Sequence, residues 1–182
     1  GFRLLDAVTA PDAPLFLLKP EWRALQGAGC PGASAGRRSR VRSVELLFQC
    51  IRQIEIDALG VALGAQVAHP YLKRTPGAHL VNIASASAIY GQPEIAVYSA
   101  TKFFVAGLTE ALELEWENDD IRAVAIWPLW AKTALAANDA KSTKTLGVRI
   151  TPEQVADKVW ESVHPTTQDK LLHRTSYTVG LQ

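Results

Sequence analysis

Tyr98 and Lys102 stand four residues apart in "VYSATKFFVAG", residues 97–107, a run patterned as helix. Residues i and i+4 share a helix face, one turn apart. A free phenol ionises near pH ~10, and a neighbouring ammonium favours the phenolate and lowers that value. A phenol so tuned exchanges a proton with a reacting group near neutral pH. Ser85 lies thirteen residues before Tyr98, at the end of the apolar run "HLVNIAS". A hydroxyl there can hold a carbonyl oxygen beside the phenol. The structural alternatives are a solvated helix face for the Tyr–Lys pair, and loop serines satisfying local backbone for Ser85 and Ser87.

These residues need elements to hold them. Apolar residues recur at helical spacing from Val44 to about Lys73, which predicts a long helix with a bend near Gly60 or Gly64. "TPGA" makes a turn. "HLVNIAS", 79–85, fits a strand buried on both faces. A loop over 86–97 carries Gly91 and Pro93, and a second long helix runs from about Tyr98 to Asn118. Its acidic tail, "ELEWENDD", opposes the dipole at a helix C-terminus. "IRAVAIW", 121–127, is the next strand, ended by Pro128. A small, polar stretch to Ile150 reads as a long loop of the kind that covers a site. Thr151, Pro152 and Glu153 start a helix through about Val163. "KLLHRTSYTVG" closes as a strand. Helix and strand alternate, which predicts an α/β fold with a parallel sheet. The C-terminal ends of such strands face the ligand crevice.

Composition bounds the rest. The chain has 182 residues, enough for one domain with a real core. It is 48% hydrophobic and 20% charged, with a net charge of +1, which gives no reason to expect a nucleic-acid partner. No apolar run is long enough to span a membrane, no secretory signal is visible, and no metal site is expected. Cys30 and Cys50 read as reduced thiols, pointing to a cytoplasmic protein. The chain starts at Gly1 and holds no methionine, which reads as part of a longer frame or a processed product. It also ends directly after its last strand, so a terminal segment is expected to be missing. Composition breaks near residue 43: residues 1–43 hold seven Lys/Arg and three Asp/Glu, and residues 44–182 hold twelve and fifteen. We expect an atypical, loosely structured segment over 1–43 and the patterned domain over 44–182. "LFLLK", 15–19, is a short strand candidate stopped by Pro20.

"NIAS…VYSATK…IWPLWAKT" resembles the C-terminal, catalytic half of the short-chain dehydrogenase/reductase family, over about residues 54–180. The resemblance implies a Rossmann-like parallel sheet flanked by helices, truncated at the N-terminal side. It implies NAD(P)(H) as cofactor, NAD or NADP left open, and a small alcohol or carbonyl as substrate. In those roles Ser85 orients the substrate oxygen and Tyr98 exchanges the proton. Lys102 lowers the Tyr98 pKa and binds the nicotinamide ribose. Pro128, Ala131 and Thr133 line the carboxamide, with Leu129 where the family usually has Gly. Asp57 stands where many members carry an Asn that supports the water chain behind the Lys. It cannot donate as an amide does. Ile89, Tyr90, Pro93 and Trp130 are the expected apolar substrate walls. The helices 44–73 and 98–118 are the expected homodimer or homotetramer surface.

The family's glycine-rich turn, which sets the pyrophosphate on a helix N-terminus, has no counterpart in context. "GAGCPG", 27–32, matches G-x-G-x-x-G literally. It holds Pro31, does not follow directly on a strand, and precedes a basic Gly/Ser run instead of an apolar-periodic helix. Two readings follow: an oxidoreductase retaining its catalytic half, and an inactive truncated remnant that keeps only the dimerising α/β half.

Overall fold

The computed structural model describes residues 8–10, 13–18, 40–137, 141–171 and 174–180. Its centre is one five-stranded sheet in the order β1-β2-β3-β4-β5. The strands are β1 (Val8–Ala10), β2 (Ala13–Leu18), β3 (Ala78–Ile83), β4 (Ile121–Pro128) and β5 (Ser176–Val179). β2 to β5 run parallel, and β1 pairs antiparallel with β2 at the edge. The expected α/β architecture is therefore present. Leu15–Leu18 of the strand candidate fall in β2, in register with β3 from Leu15↔His79 to Leu18↔Asn82. Of the segment 1–43, the described parts are these two strands and the first turn of α1. The rest, with "GAGCPG" and Cys30, lies outside the described residues.

The long helix before β3 consists of α1 (Arg40–Ile54), a π turn (Glu55–Leu59) and α2 (Gly60–Leu72). The expected bend is thus a change of helical winding, one turn before Gly60. A π turn fits an extra residue into the helix and re-aims the side chains beside it. After β3 come a 3₁₀ turn (Ala86–Ala88) and α3 (Ala96–Glu115). The expected loop after β4 holds two short elements, a 3₁₀ turn (Ala134–Ala137) and α4 (Lys141–Leu146). α5 (Pro152–Val163) starts with a capping box: Gln154 N donates to Thr151 Oγ1, and Thr151 N donates to Gln154 Oε1 at 2.9 Å. The expected closing strand is shorter than its apolar run, because Leu171 ends a further helix, α6 (Thr167–Leu171).

Strand alternation builds the two faces of the core. Leu80 and Ala123 pack with Ala65, Ala68 and Leu72 of α2 and Leu112 of α3. Val81, Val124 and Ile126 pack on the other face with Tyr177, Val163 and Ile150. β3 is thus covered on both sides, which is why its sequence shows no strict alternation of apolar and polar residues. Gly77 enters β3 at φ +66°, a backbone region that suits glycine, and its N–H donates to Asp120 Oδ2 at 2.7 Å.

Cys50 is disulfide-bonded, not a reduced thiol as expected. The thiol argument for a reducing compartment therefore falls away. Among the described residues, no helix is long and apolar enough to cross a membrane.

Candidate active site

The site forms where β3 and β4 end. Ser85 follows β3 in extended conformation and caps the 3₁₀ turn, its Oγ accepting from Ser87 N at 3.2 Å. That bond fixes the hydroxyl at the mouth of the sheet. Glu94, at φ +69°, turns the chain into α3, and Tyr98 sits in the first turn of that helix. The Ser85 hydroxyl is hydrogen-bonded to the Tyr98 phenol. Both residues line a cavity of about 340 Å³.

Lys102 lies one turn further along α3 and is 1% exposed. Its Nζ donates to the Ile83 carbonyl at 2.9 Å and sits 5.6 Å from the centre of the Tyr98 ring. The ammonium therefore bridges the end of β3 to the base of the tyrosine, beside the ring. Asp57 stands in the π turn, which packs against α3, and is fully buried. Neither of its carboxylate oxygens has a hydrogen-bond partner among the described residues.

These placements set the electrostatics. Burial pushes the Tyr98 phenol up to about 12; the Ser85 hydrogen bond pulls it down and the Asp57 charge raises it further. The net shift is thus upward, against the expected lowering, because withdrawal from water outweighs the favourable contacts. At neutral pH the phenol is held protonated, ready to donate. Burial also lowers Lys102 to about 8, partly offset by the Asp57 charge. Burial raises Asp57, and the Lys102 charge opposes that rise. Each of the two ions limits the cost of burying the other.

The cavity brings together most of the expected residues. Pro128, Trp130, Ala131 and Thr133 line it with Ser85 and Tyr98. Ala131 is held by a parallel bridge to Ile150, and Lys132 N donates to Ile150 O at 2.9 Å. Leu129 takes the family's Gly position without positive φ, its N–H donating to Val179 O at 3.0 Å. Lys102 and Asp57 lie behind the wall and not in it. Ile89, Tyr90 and Pro93 were expected as walls but do not line the cavity. The 3₁₀ turn buries its small residues Ala86, Ser87 and Ala88 and leaves Ile89 and Tyr90 about half exposed. Their places are taken by Ser87, Gln92 and the α5 face Pro152, Val155, Ala156 and Val159. Val155 and Val159, at i and i+4 behind a strong helix start, carried a readable signal. Gln92 carried none.

Pro128, Ala131 and Thr133, at and just beyond the end of β4, line the same cavity as Tyr98. β2 lies between the parallel β3 and the antiparallel β1.

Parallel strands flanked by helices, with Ser85, Tyr98 and Lys102 gathered at their carboxyl ends, make a Rossmann-like α/β fold. The chain belongs to the short chain dehydrogenase family, whose model matches residues 28–144, more than half of its length. It is 33% identical over 115 residues to cis-4-hydroxycyclohexanecarboxylate dehydrogenase of Sinomonas cyclohexanicum, covering 59% of this chain and 46% of that protein. It thus spans about half the length of that curated relative. Two solved structures share the fold. The first is 3-ketoacyl-(acyl-carrier-protein) reductase from Brucella melitensis complexed with NADH. It has a TM-score of 0.63 at 24% identity, over 72% of this chain and 56% of that one. The second is a short chain dehydrogenase from Burkholderia cenocepacia J2315 in complex with NADP. It has a TM-score of 0.61 at 17% identity, over 92% and 59%.

Proposed function

We propose that the chain carries the catalytic part of an NAD(P)(H)-dependent oxidoreductase that interconverts a small alcohol and its carbonyl compound. The observation that carries this reading is the Ser85–Tyr98 hydrogen bond in the wall of a cavity at the carboxyl ends of parallel strands. The relative that oxidises a hydroxycyclohexane and the neighbours holding NADH or NADP support the same class of reaction. Ser85 holds the substrate oxygen. Tyr98 gives its phenolic proton to that oxygen in reduction and takes it back in oxidation. Lys102 stabilises the phenolate left behind, and Asp57 keeps Lys102 charged. Pro128, Ala131 and Thr133 hold the nicotinamide end of the cofactor, which when bound supplies or accepts the hydride.

A homodimer is part of the proposal. Leu47, Ile51, Leu63 and Val67 on α1 and α2, and Phe103 and Leu114 on α3, are large apolar residues left well exposed. A surface of that kind marks an association face. The inactive reading keeps this face and drops the chemistry. The deciding experiment titrates the purified chain with NADH and NADPH, following nucleotide fluorescence, and then adds a panel of ketones. Saturable binding followed by ketone-dependent oxidation of the nucleotide is expected. No binding at millimolar nucleotide leaves the inactive reading standing.

A further inference from the structure

The lining of the cavity is uneven. Ser85 and Tyr98 bring hydroxyls to it, whereas Pro152, Val155, Ala156 and Val159 of α5 bring only carbon side chains. At 3.6 residues per turn these four share one helix face, and Glu153, Asp157 and Glu161 fall on the other. That face is held rigidly. The bridge Ala131↔Ile150 ties the chain just before the Thr151 cap to the segment leaving β4. Val155 and Val159 are partly buried and pack on the core cluster that holds Val124, Ile126 and Tyr177. Pro152 and Ala156, beside them, keep exposed surface. The wall is therefore a preformed apolar surface on a packed helix, in the same cavity as the Ser85–Tyr98 hydrogen bond.

What this wall takes follows from what its side chains lack. A polar substituent laid against it gives up water and gains no side-chain partner. An apolar substituent gains about three- to fourfold in affinity for each methylene it buries. The cavity, about 340 Å³, lies at the small end of ligand sites, roughly 300–1,000 Å³. It suits one compact group better than a long chain. Alanine is the smallest of the four side chains, so Ala156 leaves the most room in front of the helix.

We propose that this face of α5 seats an apolar substituent bonded to the reacting carbon of the substrate, and that Ala156 sets its size. The substrate class is then a ketone carrying one compact carbocyclic or branched alkyl group, with the matching secondary alcohol. This inference rests on the alcohol–carbonyl reading given above for the reacting oxygen.

The test compares three ketones: butanone, cyclohexyl methyl ketone, and the tetrahydropyranyl methyl ketone that has the same shape with an ether oxygen in the ring. Binding to the full chain is measured by ligand-observed NMR, alone and with saturating NADH or NADPH, and kcat/KM wherever turnover occurs. The wild type is expected to favour the cyclohexyl ketone over butanone by about tenfold or more. It is expected to favour it over the tetrahydropyranyl ketone by about fivefold or more, since the ring oxygen finds no partner on α5. Ala156→Phe fills the space and is expected to bring the first ratio close to one by weakening the cyclohexyl ketone. Val159→Thr puts a hydroxyl on the wall at nearly constant volume and is expected to narrow the second ratio. If circular dichroism shows Ala156→Phe unfolded, Val159→Thr carries the test. Equal affinities in the wild type, preferences that survive in the folded variants, or no binding of any ketone overturns the subsite. So does displacement of the cyclohexyl ketone by nucleotide, which would give the wall to the cofactor. Preference for the cyclohexyl ketone without nucleotide binding keeps the subsite and sinks the oxidoreductase reading. Turnover of all three ketones with equal kcat/KM does the reverse.

Discussion

The two ends of the α2–β3–α3 layer handle polar groups in opposite ways. At the far end, the acidic tail after α3 finds partners for its charges. Asp119 accepts from Lys73 Nζ at 2.6 Å and contacts His69 Nε2 at 2.8 Å, and His69 stacks on Trp116. Glu113 accepts from Arg122 Nε at 2.9 Å, and Asp120 accepts from Gly77 N. At the site end, Asp57, Ser87 and Gln92 are buried with oxygens that have no partner among the described residues. Paired charges at a rim tie elements together and contribute modestly. Unpaired buried groups raise the free energy of the fold and shift pKa values, the signature of a working site. Under the proposed function, the contrast separates polar residues that hold the structure from those that act in it.

The sharpest break of that contrast is Tyr98→Phe. The ring and its contact with Lys102 remain, but the proton is gone. Loss of a positioned acid–base group costs about 10²–10⁴-fold in rate. We expect a fall of that size in kcat for ketone reduction, with a thermal unfolding midpoint close to that of the wild type. A variant retaining most of the wild-type kcat would remove Tyr98 from the chemistry.

Much of this was legible in sequence, for physical reasons. β3 and β4 are short, mostly apolar runs, and α3 and α5 carry helical periodicity, so each lay within a few residues of its reading. Ser85, Tyr98, Pro128, Trp130, Ala131 and Thr133, expected largely from the family resemblance, line one cavity, and each sits at or near the end of a regular element. What failed lay where no period exists. The loop 86–97 gives no face assignment, so exposed Ile89 and Tyr90 were read as walls and Gln92 was missed. The π turn at Glu55–Leu59 also has no composition signal; only Gly60 hinted at a bend. The direction of the Tyr98 shift was misjudged because a sequence shows the neighbouring charge and not the depth of burial. Cys50 was misread because two cysteines fit a single bridge as well as they fit two thiols.

A smaller effect is expected from Asp57→Asn, which tests whether the buried carboxylate acts through its charge. Asp57 raises both Lys102 and Tyr98. Removing the charge should let Lys102 fall below its present value of about 8 and bring Tyr98 down from about 12. Lys102 then loses its proton at lower pH, so the alkaline limb of kcat/KM for reduction moves toward acid. A shift on the order of one pH unit corresponds to about 1.4 kcal/mol between the two protonation states. The measurement is the pH dependence of kcat/KM for the two proteins. Superimposable profiles would show that Asp57 is silent and that the comparison overstates what an unpaired carboxylate does.

The smallest effect belongs to the far end. Asp119 is held below its ordinary pKa by hydrogen bonds from Lys73 and then His69. A carboxylate with a depressed folded pKa contributes stability that is present above its unfolded value, near 3.8, and is lost as pH falls through the folded value. Asp119→Asn is therefore expected to destabilise the chain slightly at neutral pH. The gap to wild type should close as pH drops below 3.8, while kcat and KM stay as they were. Urea unfolding at neutral and acid pH, beside a steady-state assay, reads all three. A change in kcat with no change in stability would mean that the far end couples to Tyr98 through α3, and the division between holding and acting residues would have to be redrawn.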